Sequence, residues 1–134
     1  MKLHISALNG VTAEIGNKLI GAGLNDSDKM LAAAGPAKER KELAAKLGID
    51  EHALLQLANR SDLARLRGVG KIFSDLLEFA GVDTVVELSK RVPANLFTKI
   101  GQVAADHHVK RLPRLADVES WVTQAKAMDR KVHH

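Results

Sequence analysis

Leu66-Arg67-Gly68-Val69-Gly70-Lys71 is the stretch from which the rest of the chain is read. A Gly-apolar-Gly bend and a cation lead into Phe73, Leu76, Leu77 and Ala80, which recur at i, i+3, i+4 and i+7 and draw one apolar stripe down a helix. Glycine tolerates positive φ and lets the backbone come close to a partner. The start of the following helix supplies unpaired N–H groups and the positive end of a dipole. The stretch therefore reads as a compact seat for an anion such as phosphate. It also reads as an economical turn that packs two helices closely, and the residues alone leave both readings open.

Outward from this bend the periodicity predicts helices and short turns throughout, an all-α chain. Leu3, Ile5 and Leu8 lead into the turn at Asn9-Gly10, and Ile15, Leu19 and Ile20 mark a helix ended by Gly21 to Gly23. Asp26 or Ser27 caps a short helix with Met30 and Leu31, and Pro36 suits the first position of a helix carrying Leu43, Ala44 and Leu47, which Gly48 stops. Asp50 caps a helix with Leu54, Leu57 and Ala58, and Ser61 is expected to cap a separate short helix through Leu63 and Leu66. Beyond the bend, Asp83 is expected to cap Val85 to Leu88, and Pro93 opens a helix with Leu96, Ile100, Val103 and Ala104. Asp117 is expected to cap the last helix, with Val118, Trp121, Val122 and Ala125 as its stripe. From Asp129 the chain is polar and is expected to fray.

The pattern around Gly68 also occurs around Gly10, fifty-eight positions earlier. Ile5, Leu8, Val11, Leu19, Gly23 and Met30 match Leu63, Leu66, Val69, Leu77, Gly81 and Leu88, and Pro36 and Pro93 follow one residue out of step. A single domain over residues 1–134 is expected, built from two pseudo-symmetric units, about 3–60 and about 61–129, packed around a shared core. One period repeated twice argues against a solenoid.

The composition, 46% apolar but only 3% aromatic, agrees with helices rather than sheet. The absence of Cys excludes a disulfide framework and a thiolate metal site, and fits a reducing compartment. The first residues lack the apolar core of an export signal, and no window approaches the ~18 apolar residues of a membrane span. The chain is read as cytoplasmic, with no membrane partner. The net charge of +4 is a mild bias, unevenly placed: residues 1–60 carry eight Lys/Arg against seven Asp/Glu, residues 61–134 twelve against nine.

Leu63-Ala64-Arg65-Leu66-Arg67-Gly68-Val69-Gly70, followed by Ser74 and Leu77, resembles a helix-hairpin-helix motif at every position. Leu8-Asn9-Gly10-Val11-Thr12 with Gly16 and Leu19 resembles a degenerate copy in which Thr12 replaces the second Gly. The whole chain is similar to a little-characterised bacterial domain family with paired hairpins and a closing helix. The resemblance implies that the turn and helix start hold a DNA phosphate group without reading bases. Arg67, Gly68, Val69, Gly70 and Lys71 are then the main site, with Val69 as an anchor in the core and the cations paired to neighbouring phosphates. Lys110, Arg111 and Arg114, three cations without an acid in the connector from His107 to Arg114, are candidate second contacts. The first hairpin is the weaker candidate, because Thr12 can cap its helix and Glu14 would set a carboxylate beside any phosphate.

The expected function is non-specific, non-catalytic binding of a nucleic-acid backbone, double-stranded DNA first. The rival is a protein-interaction module presenting the same helices. Some DNA glycosylases carry this hairpin, but their lyase Lys position is Ile72 here, and Asp83 comes too soon after Gly70 to be their catalytic Asp. No cofactor is expected. His107-His108 is the only metal-like feature, and neighbours on a helix diverge.

Overall fold

The computed structural model describes residues 2–134, and the described residues form eight α-helices with no strand. A short 3-10 turn at Ile5–Ala7 precedes α1 (Ala13–Gly21), α2 (Ser27–Ala34), α3 (Ala37–Leu47) and α4 (Glu51–Leu63). After the bend come α5 (Lys71–Phe79), α6 (Val85–Ser89), α7 (Pro93–Asp106) and α8 (Leu115–Lys126). α2 packs on α3 and α4, whereas α6 and α7 pack on α8 and α5 packs on α7.

Thr12, Asp26 and Asp50 cap α1, α2 and α4 by accepting the N–H of Ile15, Lys29 and Ala53. Such caps contribute about 1 kcal/mol each, by pairing one of the amides that a helix start leaves over. Other starts differ from expectation. Thr84, not Asp83, caps α6, accepting from Glu87 N–H at 3.3 Å. At α8 the cap position is Arg114, and Asp117, one turn in, accepts the Arg114 backbone N–H at 2.8 Å. Pro36 sits at the cap position of α3, one residue before the helix, whereas Pro93 is the first residue of α7. Ser61 starts nothing: α4 runs through it, because its hydroxyl donates to the Leu57 carbonyl at 2.8 Å and stays within the helix.

Instead of one shared core there are two apolar clusters. The first gathers Ile5, Leu19, Met30, Leu54 and Leu57 with their neighbours; the second gathers Leu63, Leu66, Val69, Leu77, Leu88, Ile100 and Trp121 with theirs. The division falls within α4, which gives Leu54, Leu57 and Ala58 to one cluster and Leu63 to the other. Ile20, expected on the α1 stripe, is exposed, and Leu19, with the half-buried Ile15, carries that face into the core.

Local backbone geometry recurs between the two halves. Gly10 and Gly68 have φ of +96° and +86°, and the amides of Val11 and Val69 each reach the carbonyl three residues back at 3.3 Å. The helices that follow are both nine residues long, with Ala22 and Ala80 at their C-terminal cap positions, after which Gly23 and Gly81 also take positive φ.

The tail is docked, contrary to expectation. Val132 is buried in the first cluster, and the His133 N–H donates to the Gly35 carbonyl at 2.9 Å. The strap passes so close that a β-carbon at Gly35 would lie 2.3 Å from the Lys131 carbonyl oxygen, so only glycine fits there. The strap thus leads from the end of α8, in the second half, back onto the core of the first. Arg40, 2% exposed, closes the same corner by donating to the Ala34 and Gly35 carbonyls at 3.1 and 3.0 Å.

Candidate nucleic-acid interface

The second hairpin is built on a buried side chain. Val69 has no exposed surface, and burying it contributes about 2 kcal/mol toward holding the bend against the second cluster. Gly68, at φ +86°, reverses the chain in a conformation that costs any residue with a β-carbon roughly 1–2 kcal/mol. Gly70 stands at the cap position of α5 in extended backbone, with no side chain to satisfy the first turn. The amides of Gly68, Gly70, Lys71, Ile72 and Phe73 accordingly meet no acceptor among the described residues. No acidic residue occupies the first turn of α5.

The same bend is clamped from α8. Gln124 accepts the Arg67 backbone N–H at 2.8 Å and donates to the Arg67 carbonyl at 3.3 Å, and its Nε2 also reaches Ser120 Oγ. Phe73 packs against Trp121 with ring centroids 5.3 Å apart. From α4, the buried Arg60 pairs with Asp75 and Glu78 on α5 and lies 3.4 Å from Ser74 Oγ. A guanidinium so enclosed holds its partners in fixed geometry, and α5 is therefore tied to α4.

The candidate residues divide into three groups. Gly68, Gly70, Lys71 and Arg111 line one concavity of ≈ 300 Å³, together with Leu3, Ile72 and Phe73. Arg111 arrives from the connector and lies over the Phe73 ring, 5.2 Å from its centroid, which keeps a positive charge beside the bend. Lys71 is half exposed and pairs with Asp75 at 3.2 Å. Val69 lies beneath the bend as its anchor. Arg67 and Lys110 are exposed, outside the concavity's lining, with no side-chain bond among the described residues. Arg114 also lies outside it: the connector itself holds no acid, but the guanidinium of Arg114 pairs with Asp117 of α8 at 3.1 Å. That pairing lowers the Asp117 carboxyl below its ordinary value, first through the side-chain hydrogen bond and then through the Arg114 backbone N–H.

The first hairpin differs in the same positions. Thr12 Oγ1 occupies the third amide of its helix, and Glu14, in the first turn, pairs with Lys18 at 3.5 Å. Of the histidine pair, His107 stacks flat on Phe79 with centroids 3.8 Å apart, and among the described residues no group of three potential metal ligands occurs. Phe97 is 37% exposed, because Leu96 and Ile100 turn the buried face of α7 away from it. Sequence reasoning missed Gln124, Arg60 and Asp62. Asp62 is buried, accepting Val85 N–H at 2.9 Å and Arg65 Nη1 at 2.8 Å. Only Asp62 had a local signal, an acid three residues before an arginine on a helix.

A family model described as Domain of unknown function (DUF4332) matches residues 9–128, which takes in both glycine bends and all eight helices of the described residues. No curated protein and no solved structure matches the chain. No helix among the described residues is long and apolar enough to cross a membrane.

Proposed function

The chain belongs to the family of that domain of unknown function, and we propose, from the site alone, that it is a non-catalytic module that holds a nucleic-acid backbone at its second hairpin. The observation that carries this reading is the set of uncapped amides at Gly68, Gly70 and Lys71, lining a concavity with two cations and no carboxylate. A phosphate oxygen placed there accepts from several N–H groups at once and sits at the positive end of the α5 dipole. Lys71 and Arg111 then pair with it or with its neighbours along the strand. Contacts of this kind position a backbone and carry no base code. Double-stranded DNA is the first choice of ligand, by the resemblance of the bend to a helix-hairpin-helix. With about four phosphates contacted, affinity falls roughly a hundredfold between 50 and 200 mM salt.

A mixed-sequence DNA duplex titrated at low salt tests the reading. Lys71→Glu is expected to weaken binding several-fold and to flatten the salt dependence while leaving the thermal midpoint in place, since Lys71 is exposed. Equal binding by the two proteins would refute the site. The second reading, a protein-interaction surface, is favoured by one observation: Leu112 and Leu115 are exposed on either side of the buried Pro113, at the connector that delivers Arg111.

A further inference from the structure

We propose that a second, separate cavity, between α2 and the C-terminal strap, binds a small anionic amphiphile: a carboxylate carried on a short apolar chain. The cavity holds ≈ 470 Å³ and its walls differ in chemistry. One wall is apolar, from Leu31 and Ala32 on α2 and from Pro36. The other is cationic, from Arg65, Arg130 and Lys131, with His133 beside them. Asp28 is the single carboxylate on the lining.

Arg65 is the fixed point of the cationic wall. Its side chain is 19% exposed, and Nη1 donates both to the buried Asp62 carboxylate and to the Asp129 carbonyl, each at 2.8 Å. The other two guanidinium nitrogens bond no described residue. An arginine held this way has already lost its rotamer freedom, so pairing with an incoming carboxylate costs less ordering than it would for a free surface cation. The side chains of Arg130 and Lys131 make no ion pair among the described residues and are exposed, available to the same anion. Charge alone would suit any phosphate. The recess and its apolar wall suit a ligand with a hydrocarbon portion to bury, which a duplex backbone lacks.

The occupant would touch α2 from one half of the chain and the strap from the other. Binding to the folded state alone raises its stability, so occupancy is expected to raise the thermal midpoint as well. The test adds hexanoate, hexylammonium and inorganic phosphate separately to the full chain, following the backbone amide resonances of Leu31, Ala32, Arg65 and Lys131. Hexanoate is expected to shift these resonances saturably in the ~10 mM range, as a ligand of so few atoms allows. Lys131→Glu is expected to weaken that response roughly tenfold. Ala32→Trp, made at an exposed position, fills the recess and is expected to abolish it. An equal response to hexylammonium or to phosphate, no response to hexanoate, or unchanged hexanoate affinity in either variant would overturn the proposal.

Discussion

The two hairpins share a backbone and differ in what that backbone has left to offer. Both bends turn on a glycine at positive φ, and both open a nine-residue helix. At the cap stands Thr12 in one and Gly70 in the other; at the first helical position, Ala13 against Lys71; at the second, Glu14 against Ile72. In the first hairpin a hydroxyl occupies the third amide and the carboxylate of Glu14 stands in the first turn, although the amides of Gly10, Thr12, Ala13 and Glu14 meet no acceptor among the described residues. In the second, the third amide, of Phe73, is also left without an internal partner, and the first turn carries the cation Lys71 and no acid. The anchors differ as well: Val11 is half-buried, whereas Val69 is wholly enclosed. The same turn is thus side-chain-capped with an acid beside it in one place, and uncapped with a cation beside it in the other. The difference rests on a few side chains.

The contrast can be tested by mutation, beginning with what holds the second hairpin alone. Position 60 is a buried arginine bridging α4 to Asp75 and Glu78, whereas Lys2, fifty-eight residues earlier, is exposed. Arg60→Leu is expected to destabilise the protein by about 2–4 kcal/mol in urea unfolding. The lower part of that range applies because Asp75 and Glu78 keep partial access to water. A change below about 0.5 kcal/mol would mean that α5 is held by apolar packing alone.

A smaller effect is expected from exchanging the caps. Gly70→Thr is expected to supply a hydroxyl to the Phe73 amide, to stabilise α5 by ~0.3 kcal/mol and to weaken DNA binding several-fold. The reciprocal Thr12→Gly is expected to cost a few tenths of a kcal/mol and to leave DNA affinity unchanged, since Glu14 still repels a phosphate there. A titration in which Thr12→Gly changes affinity as much as Gly70→Thr would erase the distinction between the hairpins.

The smallest expected effect concerns the connector. The Asp117 carboxyl is held below its ordinary value by Arg114, so its contribution to stability is present above the unfolded-state value and is lost as pH falls through the folded one. A carbon-detected titration should find Asp117 titrating lower than it does in Arg114→Gln. Coincident midpoints would show that Arg114 is free for a phosphate after all. Bound DNA that draws Arg114 away from Asp117 should raise that midpoint.

Most of the helical frame was readable from spacing. The stripes Leu76-Leu77-Ala80, Leu96-Ile100-Val103-Ala104 and Val118-Trp121-Val122-Ala125 are all buried, because a 3.6-residue period needs no knowledge of the partner surface. Thr12, Asp26 and Asp50 could be recognised as caps from their place before an apolar run. Thr84 was misread because Asp83 is an equally good cap residue one position earlier, and Ser61 because a hydroxyl that bonds its own helix looks the same as one that starts a new helix. Val132 escaped notice as a lone apolar residue in a polar tail whose neighbours in space lie nearly a hundred positions earlier. At the candidate site, the bend and its lysine follow from local order. The arrival of Arg111, the Gln124 clamp and the Arg60 tie depend on how distant helices pack, and no local pattern encodes that.

The central claim is that the second bend, with its third amide uncapped and no acid in the first turn, takes a phosphate oxygen, and that the first, with Thr12 on its third amide and Glu14 in its first turn, does not. Titrating the isotopically labelled protein with a short DNA duplex at low salt, and following the backbone amides, tests this directly. The account predicts large, saturable shifts at Gly68, Gly70 and Lys71, reversed by added salt, with Gly10, Thr12 and Glu14 unmoved. Shifts of equal size at both bends, or shifts confined to other surfaces while Gly68 to Lys71 stay still, would contradict it.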